Sequence, residues 1–345
     1  MSQFHELTVA SVKQLTPSSV KITFHIPDDL SSDFNFKAGQ YLSLKTSING
    51  ETIIRDYSIC SSPSSGELSV GVKMLSGGIF STYAQRIKAG DRLLVRSPQG
   101  KFILDEPIQT FVGIAAGSGI TPIMSLLQAF LENGSDRNAI LIYGNKTPED
   151  TLFFNELKAL KNTYGDRLEI KWVFSRIDMP ETSFGRINTK TINSLISSNS
   201  KLTKAHFYLC GPNDMVQDVK SALIGSEVSE DHIKFELFFV ANSTETPSEA
   251  SSGKTSVEMV LDGETVSFDM DQSQFVLDAA LDQDLDAPYS CRGGVCSSCI
   301  AKVVSGSAEM AQNNVLSDAD LDAGYILTCQ ARPTSLSITI DYDDV

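Results

Sequence analysis

The chain has 345 residues, 41% hydrophobic and 21% charged, with a net charge of −15. One hydrophobic core rarely grows past about 250–300 residues, so two or three domains are expected, and the apolar content excludes wholesale disorder. No apolar run approaches the roughly 18 residues of a membrane span, the opening MSQFHELTVASV lacks the apolar stretch of a signal peptide, and six cysteines are too few for a disulfide scaffold, so a soluble, cytoplasmic chain is expected.

Residues 1–106 predict a strand-built domain. Val20, Ile22, Phe24 and Ile26 alternate with polar residues, as do Leu68, Val70, Val72 and Met74, a period of two that buries one face. Pro27-Asp28-Asp29, Asn49-Gly50 and Ser64-Ser65-Gly66 divide the segment into short strands, as expected of a closed antiparallel β-barrel. From residue 107 the period switches. Apolar runs at Phe111–Ala115, Ile140–Tyr143, Ile170–Phe174 and Phe207–Cys210 alternate with helical patterns, in one of which Ile123, Leu126, Leu127, Phe130 and Leu131 share a face. This alternation over 107–240 predicts an α/β domain, a parallel sheet with helices on both sides. Residues 241–255, ANSTETPSEASSGKT, have the composition of a flexible linker, about 20 Å across as a coil. Residues 256–345 open on a hairpin turning at Asp262-Gly263, then carry a short helix over Phe275–Leu281, a cysteine-rich loop and two more strand-like runs.

Charge is uneven along these segments. Residues 256–345 hold sixteen Asp or Glu against three Lys or Arg, a net −13, whereas residues 1–255 hold twenty-seven against twenty-five, a net −2. An acidic module is repelled by nucleic acid and by anionic membrane. The excess is either a solvated face that keeps the chain soluble or a docking face for a basic protein partner.

Cys291, Cys296, Cys299 and Cys329 follow the spacing C-x4-C-x2-C…C, which is that of plant-type 2Fe-2S ferredoxins. Four thiolates hold two irons, and the loop between them must bring backbone N–H groups to the bridging sulfides. Gly293 and Gly294 suit that close approach. A structural zinc site is the alternative, but it usually shows two C-x2-C pairs or a paired His, and no His lies in 256–345. A Rieske centre needs two His ligands and fails likewise.

Gly117, Ser118, Gly119, Ile120, Thr121 and Pro122 follow a predicted strand and open a predicted helix. A helix N-terminus offers free N–H groups and a positive dipole end to a diphosphate, and glycine lets the backbone come close. Pro122 suits the first helical turn. The loop departs from G-x-G-x-x-G, and a plain tight turn is the alternative. Cys210, Gly211 and Pro212 end a later strand at the carboxyl edge of the same predicted sheet, where ligands bind in open α/β folds. Ser175 and Arg176 end another, and there a 2′-phosphate could be held by charge-assisted hydrogen bonds. A buried small hydrophobe for Cys210 and a surface arginine for Arg176 are the other readings.

Arg55-Asp56-Tyr57-Ser58, the Gly117–Pro122 loop, Cys210-Gly211-Pro212 and the cysteine loop occur in one order. Together they resemble the ferredoxin–NADP reductase superfamily fused to a C-terminal plant-type ferredoxin, over essentially the whole chain. The resemblance implies an FAD-binding barrel at 1–106, an NAD(P)-binding domain at 107–240, a linker at 241–255 and an α+β, β-grasp 2Fe-2S ferredoxin at 256–345. It implies that Arg55 meets the flavin pyrophosphate, Tyr57 lies against the isoalloxazine and Ser58 approaches its N5. Gly77, Gly78, Ile79, Phe80, Ser81 and Thr82 match a second diphosphate-binding stretch, Val72 and Lys73 are further implied cofactor-binding positions, and Gly117, Ser118, Gly119, Thr121, Pro122, Asn145, Ser175, Arg176, Cys210, Gly211 and Pro212 match the coenzyme site. Ser58, Cys210, Glu236 and Phe238 match the positions around the reacting nicotinamide, with Phe238 where relatives often carry Tyr. Cys291, Cys296, Cys299 and Cys329 are the implied iron ligands, with Cys60 and Cys210 outside the cluster.

The opening Phe4–Ala10, Tyr57-Ser58-Ile59-Cys60, Tyr143-Gly144-Asn145 and Ala323-Gly324-Tyr325 are similar to oxygenase reductases of the phenylacetyl-CoA epoxidase type. The implied activity is an NAD(P)H-dependent reductase that passes electrons through FAD and a 2Fe-2S cluster to a di-iron oxygenase, with NADPH favoured by Ser175-Arg176. A Rieske oxygenase, a desaturase or a hybrid-cluster protein is the alternative acceptor. A zinc-binding scaffold without redox activity is the alternative of another class.

Overall fold

The alternation of Val20, Ile22 and Phe24 with polar neighbours sends these three side chains into one core, each no more than 4% exposed. The computed structural model describes residues 4–105, 107–238, 253–285, 287–289, 292–294 and 297–345. The chain divides after Phe238 into two units.

The first unit opens with β1 (Phe4–Thr16), β2 (Ser19–His25), β3 (Tyr41–Ile48), β4 (Glu51–Ser58), β5 (Leu68–Lys73), helix α1 (Ile79–Ala84) and β6 (Arg92–Arg96). The six strands form one antiparallel sheet in the order β4-β3-β6-β1-β2-β5. Its two edges touch just past β4, where Ile59 bridges Val70 and the Cys60 N–H donates to Ser69 O at 2.8 Å. The barrel expected for this segment is thus met as a six-stranded antiparallel sheet whose edges meet at that point.

The same unit continues with β7 (Thr110–Ala116), α2 (Ile120–Glu132), β8 (Asn138–Asn145), α3 (Phe154–Tyr164), β9 (Leu168–Phe174), β10 (Ser183–Phe184), α4 (Thr189–Ser198), β11 (His206–Gly211), α5 (Asn213–Gly225) and β12 (Ile233–Leu237). These strands are all parallel, in the order β10-β9-β8-β7-β11-β12. Strand order runs outward from β7 in one direction to β10, then from β11 in the other. Right-handed crossovers therefore place α2 and α3 on one face and α4 and α5 on the opposite face. The reversal lies between β7 and β11, and a crevice opens at the carboxyl ends of strands there.

Helix α2 joins the two sheets. Its apolar stripe (Ile123, Leu126, Leu127, Phe130) is fully buried in a core that also takes Ala38, Cys60 and Phe102 from the first segment. The Ser125 hydroxyl donates to Ser61 O at 2.6 Å inside that core, and Glu132 accepts from the hydroxyls of Ser62 and Ser64. Lys234 pairs with Asp105 where the chain passes from one sheet to the next.

The second unit contains β13 (Lys254–Leu261), β14 (Glu264–Asp271), α6 (Val276–Asp282), β15 (Ile300–Ser305), β16 (Ala308–Met310), α7 (Asp318–Asp322), β17 (Tyr325–Leu327), β18 (Ala331–Pro333) and β19 (Ser337–Asp341). A five-stranded mixed sheet, β14-β13-β19-β15-β17, packs Val257, Met259, Ile338 and Ile340 against Val276, Leu277 and Ala280 of α6. The β13–β14 hairpin turns at Asp262 (φ 55°) and Gly263 (φ 75°), the paired left-handed residues of a type I′ turn. The segment expected as linker, 241–255, overlaps β13 at Lys254 and Thr255, and residues 241–252 lie outside the described residues. Helix α6 begins one residue later than expected because Phe275, at φ −76° and ψ 143°, is its extended N-cap. No helix among the described residues is long and apolar enough to cross a membrane.

Candidate functional site

Three segments far apart in sequence converge at the carboxyl end of β11. Cys210 lies opposite Glu236 in the β11–β12 register, and the Ser58 hydroxyl at the end of β4 reaches Glu236 Oε2 at 3.5 Å. Ser58 is buried and Glu236 half-buried. Removal from water, with the Asp56 carboxylate adding and the Ser58 hydrogen bond opposing, pushes the Glu236 carboxyl up to about 8 from its ordinary 4.5. Burial, with Glu236 adding, raises the Cys210 thiol well above its usual range, so it stands as an uncharged thiol.

A stability prediction follows from this carboxyl. Its folded pKa lies above its unfolded one, so between about pH 4.5 and pH 8 the folded chain holds more protons and stability falls as pH rises. Glu236→Gln keeps a neutral hydrogen-bonding head and is expected to shrink the drop in Tm between pH 5 and pH 8, measured by thermal melts across that window. A slope identical to the parent's would mean that the carboxyl is already ionised.

Strand β4 places its motif by alternation. Asp56 accepts from the Ser43 hydroxyl at 2.6 Å, while Tyr57 lies 5.3 Å, centroid to centroid, from Phe80 of α1. Burial raises the Tyr57 phenol far above its ordinary range, Arg55 opposing and Asp56 adding, so the ring presents a neutral face. Arg55 is half-buried and donates to Ile54 O at 2.7 Å. Val72 and Phe80 are core residues, 0% and 1% exposed, so Phe80 acts by backing Tyr57. Gly77 sits at φ 77° with open space where a Cβ would stand, and Gly78 caps α1. The Ser81 hydroxyl accepts from Leu75 N–H at 3.1 Å and closes that turn, and its neighbour Thr82 is exposed.

The Gly117–Gly119 loop is a tight turn entering α2. Gly117 takes φ 56°, and its carbonyl accepts from the Tyr143 hydroxyl of β8 at 2.9 Å. Gly119 touches the end of β11 so closely that a Cβ would stand 2.2 Å from Cys210 O. Thr121 donates its hydroxyl back to Ser118 O at 3.0 Å, and Pro122 is the third residue of the helix. Gly211 ends β11 and Pro212 caps α5. Phe238 packs half-buried on the core that holds Cys210. A Cβ on Gly117 would come within 3.9 Å of Lys73 Nζ, which puts that ammonium beside the loop. Burial lowers the Lys73 pKa, Asp150 opposing and Lys146 adding.

At the ends of β8 and β9, Ser175 N–H donates to Asn145 O and Arg176 N–H to Lys146 O, both at 3.0 Å. Asn145 Nδ2 is buried without a hydrogen-bond partner among the described residues, and the Arg176 side chain is exposed. Asp56, inside the Arg55–Ser58 motif, and Lys146, next to Asn145, also act here through their neighbours.

In the second unit Cys299 and Cys329 are 1% and 3% exposed, while Cys291 and Cys296 lie outside the described residues. Thr328 binds Cys299 O with its N–H (3.1 Å) and its hydroxyl (3.0 Å), and Tyr342 donates to that hydroxyl at 2.8 Å. Among the described residues of the loop, Arg292 (φ 54°) and Gly294 (φ 69°) are left-handed. A Cβ on Gly294 would meet Gln312 O at 2.7 Å, so glycine is required there by contact as well as by φ. Gln330 holds the loop from below, donating to Arg292 O at 2.9 Å. The buried thiols and the glycine cradle fit an iron–sulfur cluster. The neutral Tyr57 face, the Arg55 guanidinium and the open Gly77 turn fit a flavin.

The fold and these sites define an NAD(P)H-dependent flavin and iron–sulfur oxidoreductase. Models of three families match in the same order: the oxidoreductase FAD-binding domain at residues 6–103, the oxidoreductase NAD-binding domain at 114–221 and the 2Fe-2S iron-sulfur cluster binding domain at 259–334. The chain is 38% identical to a subunit of the 1,2-phenylacetyl-CoA epoxidase of Escherichia coli K12, over 99% of both chains. It is 31% identical to the ferredoxin reductase component of 3-ketosteroid-9-alpha-monooxygenase from Rhodococcus rhodochrous, over 97% of this chain and 96% of that one. Phthalate dioxygenase reductase superposes over 98% of both chains with a TM-score of 0.66 at 25% identity. The chain belongs to the family of oxygenase reductase components in which a ferredoxin–NADP reductase is fused to a C-terminal 2Fe-2S ferredoxin. The zinc reading of the cysteine loop falls with the 2Fe-2S match.

Proposed function

We propose that the chain is the reductase of an oxygenase acting on phenylacetyl-CoA, drawing its electrons from NADPH. The observation that carries this reading is the end-to-end similarity to the epoxidase component, through the flavin, nucleotide and cluster segments alike. When bound, the flavin supplies the conversion between a two-electron nicotinamide donor and a one-electron cluster. The chain supplies the rest. Arg55 and the Gly77–Gly78 turn would hold the flavin diphosphate, and Tyr57 backed by Phe80 would support the ring system. The Gly117–Gly119 loop with Lys73 beside it would take the coenzyme diphosphate, and Ser175 and Arg176 its 2′-phosphate. Ser58, Cys210 and Glu236 would position the nicotinamide with a neutral thiol and a protonated carboxyl rather than with charge. Cys291, Cys296, Cys299 and Cys329 would hold the cluster.

The second unit would dock on a basic patch of the oxygenase. Several of its acids already have partners within the fold: Asp320 in the capping box of α7, Asp344 on Lys302, Asp343 on the Asp262 and Gly263 N–H groups. Asp318 and Asp322 of α7 remain exposed for a partner. The test is NADPH oxidation with the other components of the phenylacetyl-CoA oxygenase present, with and without phenylacetyl-CoA. Substrate-dependent oxidation with product formed is expected. No coupled rate, with an artificial one-electron acceptor still reduced, would reject this partner and favour another oxygenase, a reading supported by the similarity to the 3-ketosteroid-9-alpha-monooxygenase component.

A further inference from the structure

Val70 and Val72 of β5 point into the core of the antiparallel sheet, both 0% exposed, so Gly71 and Lys73 face the other way. Gly71 is nonetheless buried, because Thr121 of α2 and Phe153 at the start of α3 close over it. A Cβ there would stand 2.7 Å from Thr121 Cγ2 and 3.3 Å from Phe153 Cζ. The first of these is about 1 Å inside an ordinary carbon–carbon contact. Both neighbours are fixed. Thr121 is 1% exposed in the first turn of α2, its hydroxyl bound back to Ser118 O at 3.0 Å. Phe153 is 3% exposed and caps α3 at φ 59° and ψ 22°, a left-handed conformation that bulky residues rarely take and that persists only where the surroundings enforce it. The Tyr143 hydroxyl lies 3.4 Å from Leu152 O and 2.9 Å from Gly117 O, so one group ties the entry of α3 to the Gly117–Gly119 loop. Two residues further along β5, Lys73 Nζ stands beside that same loop. At Gly71, then, the sheet that carries Tyr57 and the helix that carries the loop meet with no room for a methyl group.

We propose that Gly71 is a positioning residue: its missing side chain sets the spacing between the flavin seat on the antiparallel sheet and the coenzyme seat on the Gly117–Gly119 loop, close enough for the nicotinamide to reach the flavin. The inference rests on the assignment of those two seats above. A methyl group at this point is a wedge between two partners that each remain bound, and a misplacement of about 1 Å can cost about a hundredfold in rate.

The test uses the full-length holoprotein and a double-mutant cycle. Gly71→Ala is expected to slow flavin reduction at saturating NADPH by roughly tenfold or more. It is also expected to weaken the long-wavelength absorbance that appears when oxidised coenzyme lies against reduced flavin. Calorimetry with ADP-ribose, which lacks the nicotinamide, should give the parent's affinity, because the coenzyme seat moves as a body and the flexible Lys73 follows it. Thr121→Ser keeps a hydroxyl for Ser118 O and removes the methyl carbon that the new Cβ would strike. Added to Gly71→Ala, it is expected to recover most of the lost rate and absorbance, measured against Thr121→Ser alone. If Gly71→Ala folds too poorly to assay, the same recovery is expected in Tm and flavin content. A parental rate in Gly71→Ala, a matching loss of ADP-ribose affinity, or no recovery in the double variant overturns the spacer. A parent protein that binds no ADP-ribose removes the coenzyme seat, and the spacer with it.

Discussion

Cys299→Ser is expected to reduce electron delivery to the oxygenase, or to any acceptor served by the ferredoxin unit, to background. Reduction of the flavin by NADPH should survive, because Ser58, Glu236, Cys210 and the Gly117–Gly119 loop belong to the other unit. Serine nearly keeps the volume of a side chain that is 1% exposed, and the bonds from Thr328 go to the Cys299 backbone, so the ferredoxin sheet should hold. What is lost is a soft thiolate ligand. The measurements are iron content, the visible spectrum, flavin bleaching by NADPH under anaerobic conditions, and the coupled oxygenase rate. Delivery at the parent rate from an iron-free variant would remove the cluster from the path.

Gly119→Ala is expected to be the most damaging single methyl group in the coenzyme site. The residue sits at φ −60° and ψ −8°, a conformation alanine adopts freely, so space alone forbids it. The added Cβ would meet Cys210 O at 2.2 Å, Cys210 C at 2.5 Å and Gly211 N at 2.8 Å, all backbone atoms that no rotamer change can move aside. Either β11 or the start of α2 must shift, at a cost of about 1–3 kcal/mol for overpacking. Either shift disturbs the seat of the Gly117–Gly119 loop against Cys210, so KM for the coenzyme should rise together with the fall in Tm. Gly117→Ala is the contrast. At φ 56° it strains the backbone by about 1 kcal/mol, yet among the described residues its Cβ would meet only the flexible Lys73 Nζ at 3.9 Å. A Gly119→Ala protein with parental Tm and coenzyme affinity would show that the contact with Cys210 is not maintained in solution.

The sequence carried the local features well. Alternation at Val20, Ile22 and Phe24 located a sheet, a helical stripe from Ile123 to Leu131 located α2, and Asp262-Gly263 located a hairpin turn; each depends on neighbours within a few positions. The cysteine spacing carried the 2Fe-2S class for the same reason, since three of the four cysteines lie close together in the sequence. Individual roles were less legible. Of the residues around Gly77, Phe80 and Ser81 prove to support the turn and the Tyr57 ring. Of the two glycines in the cysteine loop, Gly294 is the one that takes a left-handed φ, and Arg292 is left-handed as well.

Chain composition and spacing alone determined the order of modules, the iron-binding pattern and the concentration of acid in residues 256–345, because these are properties of contiguous sequence. Only the tertiary structure decided that Ser58 meets Glu236 across 178 positions and that Gly119 must be glycine because of Cys210. The physical reason is that these contacts depend on strand order and on the reversal between β7 and β11, which no short-range period encodes.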